Sequence, residues 1–117
     1  MAKVSAADVK RARVTIELDG EEVTLVPSPD AIIALSGAYD GFSPLLGALQ
    51  RLSVKAATDV VVAGLGVEGK EAKAVAHQVA STGPIELMPK LVEFVMTCAN
   101  GGRPLKEDDG EAGEGPL

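Results

Sequence analysis

The residues best spaced for chemistry in this chain are glycines. Gly64-Leu65-Gly66-Val67-Glu68-Gly69 is a G-x-G-x-x-G run, preceded by the strand-like Asp59-Val60-Val61-Val62-Ala63 and followed by a helical pattern. In a dinucleotide site such glycines allow a tight turn, close approach of a pyrophosphate and close helix–strand packing. The acid such a site needs further on has a candidate in Glu86. Three features oppose that reading. The chain has 117 residues, too few for the two-halved dinucleotide fold. Glu86 follows Gly83-Pro84 in a segment that continues as helix, and Ser53 to Ala63 fits a capped helix as well as a strand. The glycines are therefore expected to be loop residues between helices. A nucleotide-binding module using Gly64, Gly66 and Gly69 is the lesser alternative, and no cofactor is expected.

The remaining reactive types are sparse. His77 is the single histidine and shares a stripe with Lys70 and Lys73 at i, i+3 and i+7, which reads as a solvated helix face. No serine or cysteine nucleophile is placed beside it by the sequence. Cys98 is the single cysteine and lies on an apolar stripe, as a core or interface hydrophobe does. One histidine and one cysteine cannot close a four-ligand zinc site. Glu21-Glu22 and Asp108-Asp109 fall at a turn and in a tail, where carboxylates act as solubilising charge. No catalytic or metal site emerges, and the chain reads as an interaction protein.

Composition says what elements must carry these residues. Aromatics are limited to Tyr39, Phe42 and Phe94, so the core must come from Val, Leu, Ile, Ala and Met. The net charge is −6, with Lys3, Lys10, Arg11 and Arg13 at the start and five acids from Glu107 to Glu114 near the end. An acidic domain repels a phosphate backbone, so nucleic acid is not an expected partner. A lone cysteine suits a reducing cytosol. The N-terminus shows no secretory h-region, and no apolar run is long enough to span a bilayer, so no membrane role is expected.

From Arg13 the pattern alternates. Val14, Ile16 and Leu18 share one face, Asp19-Gly20 interrupts, and Val23 and Leu25 resume. Asp-Gly between alternating runs predicts a type I′ hairpin, because that turn needs positive φ at both central residues. A two-residue turn pairs Ile16 with Val23 and Val14 with Leu25, so turn and apolar pattern agree on register. Everything after Pro27 reads as helical. Ser28-Pro29-Asp30 starts a helix to about Tyr39, and Ser43-Pro44 repeats the device for one to about Leu52. Ser53 caps a third helix through Ala63, and a fourth covers about 69–81. Thr82-Gly83-Pro84 opens a last helix that reaches Ala99. The expected fold is α+β: an N-terminal β-hairpin followed by a bundle of about five short helices. Residues 1–12 are expected to form a flexible basic arm, 13–102 a single domain, and 103–117 a disordered acidic tail.

The last helix is apolar around most of its circumference. A polar stripe of Glu86, Lys90, Glu93 and Thr97 is flanked by Ile85, Met88, Val92, Val95 on one side and Leu87, Leu91, Phe94, Cys98 on the other. Such a helix is buried centrally or shared with a partner. Pro89 inside it predicts a kink or a late start. A domain of this size covers one stripe and part of the other. Leu87, Leu91 and Phe94 are the candidate protein interface, with Phe94 as the aromatic anchor.

The order of these features resembles the tail assembly chaperones of phages and gene transfer agents, sometimes labelled tail tube proteins. The resemblance runs from Val14 to Pro104. It is carried by the Val14-Thr-Ile-Glu-Leu-Asp-Gly20 hairpin, the Ser-Pro-Asp helix with Ala31-Ile-Ile-Ala-Leu35, and Thr58-Asp-Val-Val-Val-Ala-Gly-Leu65. Thr82-Gly-Pro-Ile85 and Asn100-Gly-Gly-Arg-Pro104 complete it. Their order and spacing make the resemblance. It implies a non-enzymatic role in the cytoplasm of a bacterial host, with the tape measure protein and tail tube subunits as partners. It also implies absence from the mature particle. A structural tail (tube) component stays open as the alternative, and homo-oligomerisation is compatible with either.

Overall fold

A computed structural model describes residues 12–105 of the chain. The basic arm up to Arg11 and the acidic tail from Lys106 lie outside the described residues.

The hairpin forms in the expected register. β1 (Val14–Leu18) pairs antiparallel with β2 (Glu21–Leu25), placing Val14 against Leu25, Ile16 against Val23 and Glu17 against Glu22. Asp19 and Gly20 have φ of 54° and 86°, the two left-handed residues that a type I′ turn requires. Val14, Ile16, Leu18 and Leu25 are buried, and Val23 is half-buried beside them. The Asp19 backbone N–H donates to Thr82 Oγ1 at 2.7 Å, which ties the hairpin tip to the helical layer. A lone two-stranded hairpin is marginal in water, so this apolar face needs the helices beneath it.

Among the described residues five helices follow: α1 (Pro29–Tyr39), α2 (Phe42–Gln50), α3 (Val54–Leu65), α4 (Lys70–Thr82) and α5 (Pro84–Ala99). Ser28 and Ser53 cap α1 and α3 as expected, accepting from the N–H of Ala31 at 3.1 Å and of Ala56 at 3.0 Å. The expected cap at Ser43 does not form. α2 begins at Phe42 behind Gly41, and Phe42 packs against the core. Burial of that ring sets the start of the helix one residue ahead of the Ser-Pro signal. α2 also stops short of Leu52, which takes a left-handed φ of 64°. The Ser53 N–H thereby reaches Ala48 O at 3.2 Å and closes the helix end, freeing the Ser53 side chain to cap α3.

α3 runs two residues past the expected Ala63, so Gly64 lies inside the helix rather than in a loop. The reason is packing. A Cβ on Gly64 would sit 2.7 Å from Leu25 Cβ and 3.2 Å from Phe94 Cζ. Gly64 O also accepts the Val26 N–H at 2.9 Å. The glycine is the notch through which β2 crosses α3.

α5 is the central helix of the layer, touching β1 and the four other helices. It starts at Pro84, the first-turn position where a missing N–H costs nothing, and continues as one helix through Pro89. Thr82, expected to open it, instead closes α4, and Gly83 at φ 99° makes the turn between them. Thr97, expected on the polar stripe, is buried. Its Oγ1 donates to Glu93 O at 2.9 Å, which satisfies the hydroxyl inside the core. At the far end the Gly102 N–H reaches Thr97 O at 2.9 Å, and Gly102 O accepts from Ala12 N–H at 3.0 Å.

Candidate functional site

The stripe expected to form the interface is core. Leu87, Leu91 and Phe94 are 2%, 0% and 0% exposed, enclosed with Val95 and Cys98 by the hairpin and the neighbouring helices. The helix is turned the other way from the expectation. Ile85 is 71% and Met96 42% exposed, with Met88 and Val92 half-buried between them. The physical reason is the hairpin. Leu25 seats directly in the Gly64 notch, and Phe94 closes the core beside that contact, with its Cζ 3.2 Å from where a Cβ on Gly64 would stand.

A second surface was not read from the sequence. α1 and α3 enclose a shallow groove of about 520 Å³. Tyr39 near the end of α1 meets Asp59 in α3, while Val26 before α1 bonds to Gly64 near the end of α3. The two helices therefore run antiparallel. The floor and walls are small and aliphatic: Ala31, Ala34, Leu35 and Ala38 from α1, Val62 and Ala63 from α3. Ala34 and Ala38 are exposed. Asp30 and Glu68 line one end, and neither makes an ion pair among the described residues. At the other end Asp59 Oδ2 accepts from Tyr39 Oη at 2.7 Å and from Lys55 Nζ at 2.8 Å. Lys55 Nζ also stands 5.5 Å from the Tyr39 ring centroid. This cluster links α1 to α3 and holds the groove at its width. Burial, followed by donation to Asp59, raises the Tyr39 pKa; the bond to Asp59 raises that of Lys55. The sequence signal that pointed here was the alanine spacing at 34 and 38. That spacing does not mark a surface, because alanine is equally at home in a core.

The glycine run has no nucleotide geometry. The segment before it is helix α3 and not a strand, Gly64 is the packing notch, and Gly66 is the left-handed C-cap of α3 at φ 71°. Gly69, at φ 65°, precedes α4. His77, Lys70 and Lys73 share an exposed face of α4. Burial pushes the Cys98 thiol up to about 12, so it stays protonated and unreactive at neutral pH. Among the described residues no cluster of three or more His, Cys, Asp or Glu side chains is placed to hold a metal ion. No single helix among them is long and apolar enough to cross a membrane. α1 and α2 reach that apolarity only as a pair bent by 77°. Compared with known protein families, curated proteins and solved structures, the chain matches none.

Proposed function

We propose that this protein is a non-enzymatic tail assembly chaperone of the phage and gene transfer agent kind. It binds the tape measure protein in the bacterial cytoplasm and keeps it soluble until tube subunits join. The observation that supports this is the aliphatic surface left bare on helices that otherwise build the core. Ile33 on α1 is 70% exposed and Ile85 on α5 is 71% exposed. Isolated exposed side chains are ordinary, but here each stands on a helix with further exposed apolar residues, Ala34 and Ala38 on α1 and Met96 on α5. A long helical partner with uncovered apolar stripes aggregates unless such surfaces cover it.

The test is co-expression with the long helical tail protein followed by affinity capture. A soluble complex is expected, with that protein insoluble when expressed alone. Equal solubility with and without this chain, and no capture, sinks the reading. Stoichiometric recovery of the chain in purified particles would assign it a structural tail role instead.

A further inference from the structure

We propose that the groove between α1 and α3 is the docking site for a partner helix of defined chemistry: a ridge of small aliphatic side chains ending in a Lys/Arg cluster. The proposal specifies the contact surface of an interaction protein and in that respect rests on the function proposed above.

The shape points to a helix. Both walls are helices whose backbone groups are already bonded, so the groove offers no strand edge to an extended peptide. A helix brings its own backbone bonds and needs only side-chain fit. From Asp30 to Ala38 the groove runs about 12 Å at 1.5 Å per residue, which matches about two turns of a ligand helix. Ala34 and Ala38 at i and i+4 face Val62 and Ala63 across it, so no large side chain blocks close approach. Packed helix axes stand about 8–10 Å apart, and the short end of that range is reached where the contacting side chains are small. The ligand ridge is therefore Ala- or Val-sized.

The charges point to a cation, and to one end. Asp30 and Glu68 are exposed acids without an ion pair among the described residues. Asp59 at the opposite end is already engaged by Lys55 and Tyr39. A basic cluster gains from two lining acids at the Asp30–Glu68 end, whereas at the other end the lining Asp59 is answered by the exposed Lys55 and Asp40 stands outside the lining, so charge favours one direction for the helix. The chain's net charge of −6 adds a favourable long-range field for the same partner.

The test uses the full chain and a fluorescent helical peptide with Ala and Val at i, i+4 and i+7 and a Lys-Lys-Arg end. Binding by anisotropy is expected, weakening as salt rises. A peptide with Glu in place of the basic end should bind at least about tenfold more weakly. Ala34→Arg should lose about tenfold or more in affinity with its thermal midpoint unchanged, because Ala34 is exposed. Glu68→Gln should reduce the preference for the basic end. Equal binding of both peptides, or undiminished binding by Ala34→Arg, overturns the proposal. So does binding that emerges only in Lys10→Glu/Arg11→Glu, which would mean that the chain's own basic arm holds the groove. Self-association sensitive to Ala34→Arg would assign the groove to a second copy and overturn it likewise. Loss of peptide binding with the tail protein still captured overturns the groove alone. Peptide binding without capture of the tail protein overturns the tail reading alone.

Discussion

Helices α5 and α1 are both apolar around most of their circumference, yet the fold buries a full stripe of one and only two residues of the other. α5 buries Leu87, Leu91, Phe94, Val95, Thr97 and Cys98. α1 buries Ala31 and Leu35, leaving Ile33, Ala34 and Ala38 exposed. Each helix shows one isoleucine to solvent, and on α5 Ile85 stands with Met96 outside a filled core. On α1 the isoleucine lies on the helix that also walls the groove. An apolar side is thus left open by the absence of a neighbour, and the neighbours are decided by the hairpin. The strands roof α3 and α5, through Gly64 and Phe94, and do not extend over the α1–α3 groove.

The sharpest way to break this comparison lies within α5. Leu91→Lys should abolish cooperative folding, since an unpaired charge at a fully buried site costs more than about 4 kcal/mol. Ile85→Gln on the same helix should change stability by less than about 0.5 kcal/mol. Thermal and denaturant melts of the two variants give the answer. A folded Leu91→Lys chain with a normal midpoint would return the Leu87–Leu91–Phe94 stripe to the surface.

Next in size is the notch that commits Phe94 to the core. Gly64→Ala gains about 1 kcal/mol of helix propensity. It also drives a methyl to 2.7 Å from Leu25 Cβ, where both partners are held by packing. Overpacking typically costs 1–3 kcal/mol, so a net loss of about 1 kcal/mol is expected at the denaturant midpoint. A gain in stability would show that the hairpin does not press on α3 there.

The smallest effect sharpens the α1 side. Tyr39 and Lys55 are both raised above their ordinary values of 10.0 and 10.5. The folded chain holds these protons more tightly than the unfolded chain. Their contribution is therefore complete below those ordinary values and is lost as pH rises through the folded ones. Tyr39 is the sole tyrosine, so its near-ultraviolet absorbance reads the proton directly. Its midpoint should lie above 10.0 in the folded protein. Tyr39→Phe should flatten part of the alkaline loss of stability at a cost of about 1 kcal/mol at neutral pH. A midpoint at the ordinary value would mean that the α1–α3 link is not formed.

The local signals in the chain were legible because each has a local cause. Asp19-Gly20 accommodates two left-handed residues, Ser28 and Ser53 offer oxygens to orphan helix N–H groups, and Pro29 and Pro84 sit where no N–H is needed. With the alternation of Val14, Ile16 and Leu18, these determined the hairpin, its register and the number of helices. Neighbours decided the rest. Which stripe of α5 faces inward depends on the ring that packs beside the Leu25–Gly64 contact. Where α2 starts depends on burying Phe42, and Thr97 becomes a core residue because its hydroxyl can bond back to Glu93. The groove was hidden for the same reason. Ala31, Ile32, Ile33, Ala34, Leu35 and Ala38 place apolar side chains all around α1, and a helix without a polar face carries no mark of which side will be covered. Periodicity reports that a residue is apolar, and only the packed structure decides whether another element lies against it.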